Sequence, residues 1–514
     1  MDLFNASEYL LDRQLAAGHG DRVAITGVGG EVSYAQLHEQ VVRAAAGLRA
    51  VGLQPEQRVL MVMADSREFV VTFLAAVRMG AVPVPVSTMT HADGLADLLR
   101  DSRARLLAVT HAFAELASVA LKDAPEVTAV LAGADARVET DRPIHHLDEL
   151  VGADGSAYDT TADSPAFWLY TSGTTGLPKA AMHRHGSIRH VCETYAEQVL
   201  GITPEDRCLS AAKAFFAYGL GNSLLFPLSV GAATVLEPAP AKPDLLVERA
   251  NTYGATLFFA GPTFFANMLR ADLPPDALRT VRLSASAGEA LPASLYERWT
   301  RHFGIDILDG IGMTEMLHIF LSNRPGEVRP GTTGVAVPGY DLKILGDDGR
   351  PVDAGDPGTL YVRGASTATG YWSRYDASRQ VFQGEWLRTG DTYVQDGEGY
   401  YTCLGRTGDM LKASGIWVSP AEVEGRLLAH DAVAQAVVVA GQDGDGLEKP
   451  VAYVILRPGA AATEEELVSF CRDALPSFKR PRRIVFVDSY PTTATGKVRR
   501  VELRALAATA LAAH

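Results

Sequence analysis

Apolar positions follow two alternating rhythms through most of the chain. Short β-branched runs such as "RVLMVMA" at 58–64 precede stretches with helical spacing such as "SREFVVTFLAAVRMG", where Gly80 closes a helix and "AVPVPV" resumes as a strand. "LLAVTHAFAELASVAL" and "GATLFFAGPTFFANML" repeat the order, which predicts βα units and largely parallel sheets. After about residue 330 the rhythm changes. Gly, Asp and Pro now punctuate short alternating strands, as in "GTTGVAVPGYDLKILGDDGRPVDAGDPGTLYVRG", and predict an antiparallel β-rich subdomain. "EGYYTCLGRTGDMLKASGIWVSPAEVEGRLLAH" then passes from strand to turn to a helix beginning near Ser419. The fold class is therefore α/β: a large N-terminal domain over 1–407 with parallel-rich sheets and a β-rich subdomain, and a small α+β domain over 408–514.

Composition narrows the function classes. The 514 residues exceed a single hydrophobic core, and 47% hydrophobic with 21% charged residues is ordinary for a globular chain. A net charge of -14 lacks the clustered positive charge of a nucleic-acid surface. The 4 cysteines, at 192, 208, 403 and 471, form neither a CxxC pair nor a disulfide-dense pattern and fit a reducing cytoplasm. "MDLFNASEYLLDRQLAAG" reads as an amphipathic helix, not a signal peptide. The apolar stretch at 69–86 carries Arg78 and two prolines, so no membrane span is expected.

Against this background "YTSGTTGLPK" at 170–179 stands out, following the apolar run "AFWLY". Backbone N–H groups of a Gly-rich turn converge on anions, hydroxyls add donors and a lysine adds charge, so polyphosphate suits it. A Walker A loop needs G-x-x-x-x-G-K-[ST], whereas here Gly173 and Gly176 are three apart and Lys179 precedes Ala180. The loop resembles the signature of the acyl-adenylate-forming superfamily, which includes acyl- and aryl-CoA ligases, carrier-loading adenylation domains and luciferases. "SAGEALP" at 286–292, "DGIGMTE" at 309–315, "RTGD" at 388–391, "GRTGDMLKASG" at 405–415 and "PTTATGKVRR" at 491–500 match its further motifs in order. The resemblance covers essentially the whole chain.

This resemblance implies a reaction in two steps. A carboxylate attacks the α-phosphate of ATP to give an acyl-adenylate, and a thiol then displaces AMP; ATP, Mg2+ and coenzyme A are required. It implies roles for single residues too. Thr171, Ser172, Gly173, Thr174, Thr175, Gly176 and Lys179 would bind the phosphates, with Thr175 and Glu315 near the metal. Gly288, Glu289, Ala290, Asp309, Gly310 and Thr314 would surround the adenine and α-phosphate, while Asp391 would accept from the ribose hydroxyls and Arg406 reach the ribose or phosphate. By the same resemblance Lys497 bridges the substrate carboxylate and α-phosphate and is the principal catalytic residue, alongside Glu315 and Thr314. The small domain then rotates, bringing Ser414 and Gly415 to the CoA thiol. Where the superfamily commonly has Asp or Lys at the hinge, this chain has Gly408, which permits both backbone states.

The acid pocket is expected between "KAFFAYGLGN" at 213–222 and a helix after the "TE" motif. Both segments resemble benzoate-CoA ligases, which implies that Ala217, Tyr218, Gly219, Gly312, His318 and Ile319 contact a small aromatic carboxylic acid. Phe215 and Phe216 add flat apolar walls that close the tunnel a fatty acid needs. A carrier-protein phosphopantetheine is the alternative acceptor to CoA, and a catalytically silent nucleotide-binding protein the alternative class. His183 and His185 lack further zinc ligands and are read as structural, and "FKRPRR" at 478–483 as a solvated basic face.

Overall fold

The computed structural model describes residues 2–171, 178–413, 416–442, 448–492 and 498–512. In a 5-stranded sheet, Arg58–Val62 lies between Val82–Pro85 and Leu106–Val109, followed by Ala129–Ala132 and Ile144–His146, all parallel. The helix Arg67–Arg78 crosses between the first two strands and is buried along nearly its whole length. Gly80 ends that crossover at φ 80°, a left-handed turn that glycine makes without the Cβ clash.

A 9-stranded sheet forms the centre of the large lobe. Its parallel interior runs Ile307–Gly312, Leu283–Ser286, Leu257–Ala260, Arg207–Ser210, Ala233–Leu236 and Val23–Gly27. Both edges turn antiparallel, ending on Val32–Ser33 at one side and on Ile319–Ser322 and Val335–Ala336 at the other. The main core joins helices from both sheets, from Leu10 and Tyr34 through Phe73 and Phe167 to Phe226 and Phe320. The β-rich segment forms an antiparallel sheet of Tyr340–Leu345, Gly358–Gly364, Trp386–Gln395, Phe382–Gln383 and Tyr401–Arg406.

In the small lobe, Val433–Gln442, Glu448–Leu456 and Arg483–Phe486 make one sheet. Period-two alternation decides how it is covered. Val438 faces Val423, Leu427 and Leu467, while Val437 and Val439 face Leu503 and Ala507 on the last helix. The helix Pro420–Leu428 starts where the sequence predicts, with the Ser419 hydroxyl accepting from the Glu422 N–H. Among the described residues no helix is long and apolar enough to cross a membrane.

Candidate active site

Pro165–Thr171 and Lys179–Arg184 form a two-stranded hairpin in which Thr171 lies opposite Lys179. The hairpin is anchored by the Tyr170 hydroxyl, which donates to Asp101 Oδ2 at 2.7 Å. Thr171 and Lys179 thus flank the segment carrying Ser172, Gly173, Thr174, Thr175 and Gly176, which lie outside the described residues. His183, on the second strand, donates through Nε2 to the Thr314 carbonyl oxygen at 2.7 Å. This ties the hairpin to the "GMTE" segment.

The "TE" segment departs from expectation. Thr314–Met316 is a single 3-10 turn, and the helix expected beyond it is the strand Ile319–Ser322, antiparallel to Ile307–Gly312. Leu317 adopts φ 67°, which stops helical propagation, and the apolar run after it pairs as an edge strand instead. Close strand approach explains two glycines here. A Cβ on Gly312 would sit 2.7 Å from the His318 backbone, and one on Gly310 2.9 Å from the Ile319 side chain. Glu315 is 6% exposed and accepts through Oε1 from the Tyr371 hydroxyl. Asp309 is also buried, with Oδ1 unpartnered, and burial pushes its carboxyl up to about 8.

The turn carries His318 into a cluster of aromatic rings, at the place where the sequence leads one to expect the acid pocket. Its ring packs against Tyr195 and Tyr218, each at 5.4 Å between centroids, and edge-on to Phe226 at 4.4 Å. Nε2 lies 3.3 Å from the Tyr218 carbonyl oxygen, which can only accept, so Nε2 carries the proton. Nδ1 is left as a buried, unpartnered acceptor, and burial pulls the imidazole pKa down to about 3. Ala217–Leu220 is one helical turn holding Tyr218, whose hydroxyl donates to the Ala285 carbonyl at 2.8 Å. Ile319 is 1% exposed on the adjoining strand. Gly219 and Gly221 are required by space: a Cβ would stand 2.0 Å from the Lys213 carbonyl oxygen and 2.3 Å from His318 Cδ2, respectively.

Sequence reasoning missed three contributors. Buried Asp65 accepts the Ala214 N–H at 3.1 Å and lies 4.0 Å from the Lys213 ammonium, fixing the start of the pocket loop. Burial pushes its carboxyl up to about 6 although Lys213 opposes the shift. Tyr195 and Asn222 place buried, unpartnered polar atoms beside the pocket aromatics. Asn222 closes the quoted "AYGLGN" run, but no local pattern distinguishes Asp65 or Tyr195.

Asp391 and Arg406, the residues expected to reach the ribose, are register partners, with Arg406 Nε 3.0 Å from Asp391 Oδ1. Gly288, Glu289 and Ala290 form an exposed turn, with Gly288 at φ 94° and Glu289 accepting from the Thr263 hydroxyl at 2.9 Å. Ser414, Gly415 and Lys497 lie outside the described residues. Downstream of Lys497, Arg500 pairs with Glu424 at 2.8 Å. Burial opposes its charge, but Glu424, Asp409 and Glu289 together outweigh burial and raise its pKa. Arg500 therefore brings the small lobe within electrostatic reach of the Glu289 turn.

The donor set also bears on the metal. Among the described residues no cluster of three His, Cys, Asp or Glu could hold an ion, and His183 and His185 serve as buried structural groups. A lone carboxylate such as Glu315 fits Mg2+ arriving with ATP, since that ion takes one or two carboxylates and completes its shell with phosphates and water.

Comparison with known proteins places this geometry. Residues 12–372 match the AMP-binding enzyme family and 422–497 match the AMP-binding enzyme C-terminal domain. Benzoate–CoA ligase of Thauera aromatica is 42% identical over 98% of this chain and 96% of its own length. The 4-hydroxybenzoate–CoA/benzoate–CoA ligase of Rhodopseudomonas palustris is 40% identical over 98% and 94%, respectively. A benzoate CoA ligase from Burkholderia xenovorans LB400 superposes with a TM-score of 0.90 at 41% identity, covering 98% of this chain and 100% of that one. An anthranilate CoA ligase in complex with anthranoyl-AMP gives 0.92 at 35%, covering 99% and 98%. The chain belongs to the AMP-binding enzyme family.

Proposed function

We propose that this protein is an AMP-forming aryl-CoA ligase that activates benzoate, or a small ring-substituted benzoate, with ATP and transfers the acyl group to coenzyme A. The observation that carries the reading is the single turn that puts Glu315 and His318 three residues apart, one beside the phosphate hairpin and the other in an aromatic pocket. Nucleotide chemistry and ring recognition thus share one short segment.

The proposed steps follow from charge. In the first, a carboxylate oxygen of the acid bonds to the α-phosphorus of ATP as the bond to pyrophosphate breaks. Two anions must meet, so the Lys497 ammonium between them offsets their repulsion, while Thr171 to Lys179 hold the departing phosphates. Mg2+ neutralises developing phosphate charge when bound, and Glu315 is the carboxylate that would hold it, with Thr175 nearby. Asp391 accepts from the ribose hydroxyls and Arg406 orients the same sugar. In the second step the CoA sulfur bonds to the acyl carbon, the carbon–oxygen bond to AMP breaks, and the thiol proton passes to solvent. Ser414 and Gly415 would line the thiol path.

Tyr218, Ala217, Gly219, Gly312, His318 and Ile319 set the acid class. Neutral His318 and the ring of Tyr218 pack at 5.4 Å between centroids and offer flat apolar surface, which suits a benzene ring better than a long chain. We place the domain boundary at 407/408 and the protein in the cytoplasm, the latter supported by the free cysteines Cys192, Cys208, Cys403 and Cys471.

Acid-dependent pyrophosphate exchange across benzoate, its hydroxy-, amino- and halo-derivatives, cinnamate and a medium-chain fatty acid tests the reading. Small benzoates should lead, and Lys497→Ala should lower exchange by about 10²-fold or more. A lead by the fatty acid would overturn the pocket assignment, and absence of exchange with any acid would overturn the chemistry.

A further inference from the structure

Tyr371 has no role in the readings above, yet it touches both Glu315 and Lys179. Its mount is rigid. The Met182 N–H donates to the Gly370 carbonyl at 3.0 Å, the Trp372 N–H to Ala180 at 2.9 Å and the Thr369 N–H to Met182 at 2.9 Å, lacing this segment onto the Lys179–Arg184 strand. The Ala368 N–H donates to the Glu315 carbonyl at 2.8 Å, so the same segment also grips the "TE" turn. The Tyr371 ring is held edge-on by Phe382 at 5.3 Å, and its backbone N–H by the Ser378 hydroxyl at 3.0 Å.

From this mount one side chain serves two neighbours. The hydroxyl donates to Glu315 Oε1, and the ring lies 5.5 Å from the Lys179 ammonium, in cation–π range. Tyr371 is 6% exposed, and a phenol keeps its proton at neutral pH, so its hydroxyl is the donor and the Glu315 carboxylate the acceptor. The phenol proton occupies a lone pair of Oε1 and leaves the other oxygen as the less encumbered face for a cation. One-oxygen contact suits the strict octahedral shell of Mg2+, whereas Ca2+ sites also take carboxylates through both oxygens.

We propose that Tyr371 is a positioning residue of the nucleotide site, occupying Oε1 of Glu315 so that the carboxylate meets the metal through its other oxygen, and steadying Lys179 against its ring. This rests on the adenylation reading and adds to it a basis for metal selectivity. The test is calorimetric binding of ATP at graded Mg2+ and, separately, Ca2+, with no acid or CoA present, for the native protein, Tyr371→Phe and Tyr371→Leu. Thermal melts run alongside, and Tyr371→Phe retains the ring that packs on Phe382.

For Tyr371→Phe, the Mg2+ needed for half-maximal ATP binding should rise about tenfold, as expected for loss of a hydrogen bond to a charged group, and the preference for Mg2+ over Ca2+ should narrow. ATP binding without metal should be unchanged in Tyr371→Phe and weaker in Tyr371→Leu, which also loses the face toward Lys179. Unaltered Mg2+ dependence and unaltered ion preference in Tyr371→Phe would overturn the proposal while leaving the adenylation reading intact. Failure of the native protein to bind ATP with Mg2+ would overturn both.

Discussion

His318 sits where the pocket can tolerate no added atom. Its Cδ2 would lie 2.3 Å from a Cβ at Gly221, and on its other sides the ring is enclosed by Tyr195, Tyr218 and Phe226. An added methyl must therefore push the imidazole toward the proposed acid site or displace the helical turn behind it. Overpacking of this kind costs about 1–3 kcal/mol. Gly221→Ala should raise the KM for benzoate by roughly 10-fold or more while leaving the KM for ATP near its native value, because Gly221 contacts the ring pocket and not the hairpin. Steady-state kinetics with each substrate varied in turn checks this. An equal rise in both constants would mean that Gly221 supports the general fold and not the acid site.

Among elements, the hairpin is the part most dependent on buried histidines. His183 donates to Thr314 from its second strand, and His185, at the start of the next helix, accepts the Ala6 N–H on Nδ1 at 3.0 Å. Burial lowers both rings from 6.5 to about 4. The unfolded chain takes up these protons near pH 6.5 and the folded chain only near pH 4. Their stabilisation is therefore complete above pH 6.5 and lost as pH falls toward 4. Asp309 acts oppositely: its raised carboxyl favours the folded state at low pH and loses that contribution as pH rises through about 8. The melting temperature should consequently fall between pH 6.5 and 5, and His185→Gln should melt lower at neutral pH but show a shallower acid decline. An unchanged acid slope would remove His185 from the account.

The same elements mark how far sequence reasoning reaches. The βα order, the β-rich insertion and the Ser419 helix start were legible because period and punctuation are local signals. The strand after Glu315 was not, because "MLHIFLS" is apolar at every spacing and the deciding φ of Leu317 belongs to a residue type that does not advertise it. Lys179, Glu315, Asp391 and Arg406 could be named through ordered motifs. Tyr371 and Asp65 could not, since each acts on a partner far away in sequence, 56 residues to Glu315 and 149 to Ala214.

At the scale of the whole molecule, the two lobes meet through a few polar clasps. Arg270 of the large lobe donates to the Ala434 carbonyl at 2.8 Å, and the Ser419 hydroxyl donates back to Leu404 at 2.6 Å. Close to the crossing itself, Arg504 on the last helix donates to the Gly408 carbonyl at 2.7 Å and pairs with Asp409, which also faces Arg500 at 3.8 Å. Gly408 needs no special backbone here: it is not among the positive-φ residues, and a Cβ on it would meet nothing within 4 Å. Restraint at the proposed hinge therefore comes from Arg504 and not from the hinge residue. In this arrangement Arg500 feels the charge of Glu289, and we propose that it is the one used for adenylation. Arg504→Ala should release Gly408 and Asp409 and slow benzoate-dependent pyrophosphate exchange by about 10-fold or more, as for loss of hydrogen bonds to a charged group. Transfer from preformed benzoyl-AMP to CoA, for which we propose a rotated arrangement, should hold its rate or gain. Parallel loss of both half-reactions, with an unchanged melting temperature, would show that Arg504 does not set the balance between the two.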